Sequence, residues 1–137
     1  MKGSYILVIK LEEKKSIQIG KLGEIDFKKG FYVYIGSALN GLEQRINRHL
    51  RTNKKKHWHI DYFLDFAEVI YILYKESETK EECNIVKRLD KQLFSIPGFG
   101  CSDCKCISHL FYGSKKIITQ IIRDLKTKQY MLKNCCN

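Results

Sequence analysis

Between Ser4 and Leu11 the residues Tyr5, Leu7, Ile9 and Leu11 alternate with Ile6 and Val8, so both faces of an extended segment are apolar. A strand of that kind is expected at the centre of a sheet. After the charged turn Glu12-Glu13-Lys14-Lys15, the run Ser16-Ile17-Gln18-Ile19-Gly20 alternates again and is expected to be its hairpin partner. Residues 21–30, with Gly23 and Gly30, have the character of a loop-like insertion. Phe31, Val33 and Ile35 then alternate with Tyr32 and Tyr34 in a third strand, which leaves through Gly36-Ser37-Ala38 into a helix.

That helix is expected to start at an Asn40 N-cap, with Glu43 at capping-box spacing and Leu42, Ile46 and Leu50 marking its buried side. On a helical wheel His49 lies about 60° and Arg45 about 100° from that direction, on one shared border. Arg48 and Arg51, at about 160° and 140°, are expected to face solvent. The basic run Arg51 to Lys56 leads into His57-Trp58-His59-Ile60-Asp61-Tyr62, where Trp58 and Phe63 suit either a core anchor or an aromatic beside a phosphate-gripping patch. His57, His59 and Asp61 also offer metal-type ligands.

Phe66 to Tyr74 predicts a buried strand, followed by a helix from about Thr79 whose apolar side carries Ile85, Val86, Leu89 and Leu93. Glu82 falls in the middle of that side. It either closes a capping box with Thr79 or ligates a divalent cation, since an isolated buried carboxylate is costly. Ser95-Ile96-Pro97-Gly98-Phe99-Gly100 ends the helix. Cys101, Cys104, Cys106 and His109 offer a tightly spaced zinc set, with Cys104, Cys106 and Ser108 alternating along a strand that continues into Leu110; reactive or packing roles for these thiols are the alternative. Lys115 to about Lys128 predicts an amphipathic covering helix, and the tail is expected to fray from about residue 129.

With 137 residues, 44% hydrophobic and 29% charged, the chain fits one domain. Twenty-five Lys and Arg against 15 Asp and Glu leave a formal charge of +10, which favours an anionic partner, nucleic acid first. No apolar run reaches the length of a membrane span and Met1 to Tyr5 leads into a strand, so a cytoplasmic location with reduced thiols is expected.

Tyr34-Ile35-Gly36-Ser37, then Leu42-x-x-Arg45-x-x-x-His49, resembles the second half of the GIY-YIG nuclease signature, and Gly3-Ser4-Tyr5 resembles its first half. The later runs His57-Trp58-His59-Ile60-Asp61-Tyr62 and Asp103-Cys104-x-Cys106-x-Ser108-His109 are similar to those of a small branch of that superfamily. The resemblance implies an α/β (α+β) fold, a small mixed β-sheet of about three to five strands flanked by helices. It implies metal-dependent hydrolysis of nucleic-acid phosphodiester bonds, with DNA ahead of RNA. Tyr5 would be the base or water-orienting group, Tyr34 its neighbour, Arg45 the phosphate clamp, His49 a positioning or proton-transfer group and Glu82 the ligand of Mg²⁺ or Mn²⁺. Arg48, Arg51, Lys54, Lys55 and Lys56 are the expected nucleic-acid contacts. Two other classes stay open: a non-catalytic nucleic-acid-binding module, and a thiol- or zinc-dependent interaction domain built on Cys101 to His109.

Overall fold

The computed structural model describes residues 2–101 and 105–130. Its main sheet has six strands: β1 (Gly3–Leu11), β4 (Gly30–Ala38), β5 (Glu68–Glu76), β6 (Phe94–Ser95), β7 (Leu110–Gly113) and β8 (Lys128–Gln129). The order is β6-β7-β4-β1-β5-β8, and every pairing is antiparallel. The class is α+β, as expected. The strand number exceeds the expectation because β6 and β8 are two-residue pairings too short to leave an alternating pattern. β1 is central, as its doubly apolar pattern requires.

The expected hairpin between the first two strands does not form. β2 (Lys15–Ile19) pairs with β3 (Gly23–Phe27) as a separate two-stranded sheet. The supposed insertion therefore contains a strand: Ile25 and Phe27 alternate with Glu24 and Asp26, and the hairpin lays Ile17, Ile19 and Phe27 into the core. β5 is half covered rather than buried, with Ile72 inside and Tyr71 exposed, because its outer neighbour is only the short β8. That pairing also holds residues 128–129, where the frayed tail was expected to begin, and the tail beyond Tyr130 lies outside the described residues.

Among the described residues there are four α-helices, α1 (Leu42–Leu50), α2 (His59–Phe63), α3 (Glu82–Asp90) and α4 (Lys115–Asp124). One face of the sheet packs Tyr5, Leu7, Tyr34 and Leu110 against Leu42, Ile46, Ile60, Phe63 and the inserted ring of Phe99. The other packs Ile6, Val8, Val33 and Ile35 against Ile85, Val86, Leu89, Ile118 and Ile121 of α3 and α4. Among the described residues no helix is long and apolar enough to cross a membrane.

Two expected caps are absent. Gly41, not Asn40, is the N-cap of α1, at φ 147, a backbone conformation that glycine reaches without strain. α3 begins at Glu82 after an Glu81 N-cap without a side-chain capping bond, so Glu82 does not close a capping box with Thr79. Residues 105–109 precede β7 rather than lying in a strand; Ser108 instead turns back on itself, its Oγ bonding the carbonyl and N–H of Leu110.

Candidate active site

The β1–β4 register sets Tyr5 opposite Gly36, and a Cβ at Gly36 would stand 2.2 Å from the Tyr5 ring. The missing side chain is what lets the Tyr5 ring lie across β4. Tyr34 pairs with Leu7, two residues further along and therefore on the same face as Tyr5. The tight strand exit expected at Gly36 thus has a second use: it makes room for an aromatic ring.

Around these rings a cleft of about 620 Å³ opens at the sheet end, lined by Tyr5, Tyr34, Ser37, Arg45, Trp58 and Glu82 together with His57, His59, Lys80 and His109. Four of the five residues expected to be catalytic line it. The fifth, His49, lies beneath, 2% exposed, with Nε2 2.6 Å from the Tyr5 hydroxyl. The sequence placed Arg45 and His49 on one border of α1, and both do lie toward the ends of β1 and β4.

Burial governs the charge states. It pushes His49 down to about 3, with the cations Lys54, Arg45 and Arg48 acting in the same direction against Asp61. His49 is therefore neutral at neutral pH, and its Nδ1 is buried without a hydrogen-bond partner. Burial likewise pushes the Tyr5 phenol well up; Arg45 opposes this, while Glu82 and Asp61 add to it. Tyr34 is raised by burial, then by Tyr5 and Glu82. Both tyrosines stay protonated, and Arg45 alone does not favour a phenolate.

Arg45 donates from Nη1 to the Ser37 carbonyl at 3.1 Å, and its guanidinium lies 4.4 Å from the Trp58 ring centre. Glu82 is partly buried on the cleft wall, and its carboxylate has no hydrogen bond or ion pair among the described residues. Hard carboxylate oxygens in such a position suit a divalent cation, which also neutralises the charge that raises both phenols.

The basic patch divides. Arg48 does not face solvent: it makes a two-pronged bond to Asp61 at 2.9 Å and a third to the Lys55 carbonyl, and it also lies over Trp58. Asp61, itself fully buried, accepts two further bonds from the backbone N–H groups of His57 and Trp58. Burial alone would raise its carboxyl, but these bonds prevail and hold it at about 2. Lys54 caps the end of α1 through the Arg48 and His49 carbonyls, and Lys56 pairs with Asp65. Arg51 is exposed; its groove, shared with Lys55, meets the cleft at His57.

These bonds also take Asp61 out of any metal set with His57 and His59, and His59 Nδ1 accepts the Gly100 N–H at 2.8 Å. The described residues that could hold a metal ion together are Cys83, Cys106 and His109, with ligand atoms all within 4.8 Å. Cys101 is not among them and Cys104 lies outside the described residues, so the expected zinc set changes: Cys83 enters from α3.

Sequence reasoning missed the Ser37 carbonyl, the stacking of two arginines at Trp58, and the Phe99-Gly100 loop that pins His59. Each depends on backbone placement or on pairs far apart in sequence, which periodicity does not register.

No curated protein and no solved structure matches the chain. The family model described as domain of unknown function DUF123 matches residues 4–130, nearly the whole chain, and the protein belongs to that family.

Proposed function

We propose that the protein is a metal-dependent endonuclease hydrolysing nucleic-acid phosphodiester bonds, DNA ahead of RNA. One observation carries this: Tyr5, Tyr34, Arg45 and Glu82, from four separate elements, line a single cleft over the Tyr5–His49 hydrogen bond. The resemblance to the GIY-YIG nucleases names the same residues. The +10 charge and the groove of Arg51 and Lys55, which adjoins the cleft at His57, supply attraction for a polyanion.

In this account Arg45, held in place by the Ser37 carbonyl and the Trp58 ring, clamps the scissile phosphate and offsets the charge developing on it. The Tyr5 oxygen orients the attacking water and takes its proton as the water oxygen bonds to phosphorus, the Tyr5 proton passes to the lone pair of His49 Nε2, and the bond from phosphorus to the leaving oxygen breaks, that oxygen taking a proton from solvent; neither Tyr5 nor His49 is ionised at rest. Mg²⁺ or Mn²⁺ held by Glu82 would act as a Lewis acid on the phosphate oxygens. Tyr34 packs edge-on against His49 and so helps to set the position of the Tyr5–His49 pair.

One observation favours the second reading, a binding module without catalysis: burial moves Tyr5, Tyr34 and His49 away from the range in which they would exchange protons readily. Cleavage of labelled duplex, single-stranded and branched DNA, and of RNA, with Mg²⁺, Mn²⁺ or chelator decides between them. Metal-dependent cutting supports the nuclease; binding without cutting on every substrate supports the module.

A further inference from the structure

We propose that Cys83, Cys106 and His109 bind one zinc ion, which braces the first turn of α3 against the segment leading into β7. The ligand atoms of the three residues lie within 4.8 Å of one another, and the two sulfurs, 23 residues apart in sequence, are in direct contact at 2.7 Å. Two thiols and an imidazole form a soft donor set that suits zinc and not Mg²⁺ or Ca²⁺, which take oxygen ligands.

The histidine is prepared for ligation. His109 Nδ1 lies 3.1 Å from the Ile35 carbonyl, and a carbonyl can only accept, so Nδ1 carries the proton and Nε2 the lone pair. A carbonyl behind the ring is the usual way in which a metal-binding histidine is oriented. Its backbone is fixed as well: its N–H donates to Phe99 O at 2.8 Å, and its carbonyl accepts from the Ile35 N–H at 3.0 Å. Strand β4, through Ile35, and the Phe99 loop thus hold this ligand before any ion arrives.

Zinc at about 2.3 Å from each sulfur in a tetrahedral arrangement would separate the two sulfurs by about 3.7 Å, roughly 1 Å more than their present contact. Cys83 and Cys106 are each only partly buried, so their side chains have room for that change. Both thiols lose their protons to solvent as the two Zn–S bonds form, and no electron changes hands.

The brace has a consequence for the cleft. Cys83 directly follows Glu82, and His109 lines the cleft wall, so the ion would tie the Glu82 end of α3 to the β4–β7 side of the site. The zinc site itself does not depend on the nuclease reading, because its test needs no nucleic acid.

The test begins with the whole protein purified under reducing conditions, its metal measured by plasma mass spectrometry and its zinc then replaced by Co²⁺. The expected result is about one zinc per chain retained through gel filtration. Co²⁺ should give a thiolate-to-metal charge-transfer band, and chelation should lower the melting temperature. Cys83→Ser and, separately, Cys106→Ser should lose both zinc and band while keeping the circular dichroism of the folded chain, and chelator should no longer shift their melting. Absence of stoichiometric zinc together with no Co²⁺ charge-transfer band would overturn the proposal. So would a Cys83–Cys106 disulfide in the reduced preparation, or zinc unchanged in both variants.

Discussion

Arg45 and Arg48 stand three residues apart on one short helix, and both guanidinium groups lie over the ring of Trp58. Their circumstances differ otherwise. Arg48 is spent on a buried carboxylate and a carbonyl, the pair that ties α1 to the start of α2. Arg45 has one bond to a backbone carbonyl and lines an open cleft. Residue type and helical phase do not assign these roles; the presence of a buried partner does. One side of Trp58's surroundings is built for stability, and the other leaves a cation available to a ligand.

The largest effect that would separate the two is on stability. Arg48→Ala leaves the Asp61 carboxylate buried with only backbone donors, and the loss of one member of such a pair costs about 3–5 kcal/mol. Urea unfolding should register it, and a cost near zero would break the comparison. Acid comes next. The stability contributed by keeping His49 neutral is fully present above its ordinary value of 6.5 and is lost as pH falls toward about 3. The free energy of unfolding should fall continuously between pH 7 and pH 4, by on the order of 3 kcal/mol, and His49→Gln should flatten that slope. Asp61 adds a further loss only below its ordinary 3.8, as pH falls through about 2.

Gly36→Ala is expected to cost about 1–3 kcal/mol, because the added carbon overlaps the Tyr5 ring. A shifted Tyr5 would also lose His49, so the His49 imidazole resonances in an NMR spectrum should move. Arg45→Ala is the smallest in stability, under about 1 kcal/mol, since it removes one partly exposed neutral-acceptor bond and a stacking contact. Under the nuclease proposal it nevertheless abolishes cutting while the melting curve stays in place. That contrast with Arg48→Ala sharpens the comparison most.

Much of this was legible in the chain. The doubly apolar pattern of residues 4–11 put β1 at the sheet centre, and the helical phase put Arg45 and His49 on one border, because periodicity records which side of an element is covered. The hairpin β2–β3 was not legible as such: alternation predicts a strand without saying which strand it pairs with, and Gly23 and Gly30 disguised the second half as a loop. Arg48 was misplaced for a related reason. Its wheel angle pointed away from the sheet, but α2 returns to cover that side and brings Asp61 with it. The thiol cluster shows the same limit, since Cys83 joins Cys106 and His109 only when α3 packs on the sheet.

The most direct test of the cleft's proposed chemistry measures binding and cutting on the same labelled DNA and RNA substrates, in Mg²⁺ or Mn²⁺, for wild type and Glu82→Ala. The account predicts that the wild type cuts at least one substrate, and that the variant binds it with similar affinity, melts at a similar temperature and no longer cuts. Cutting that persists undiminished in folded Glu82→Ala, or metal-independent cutting by the wild type, would contradict it.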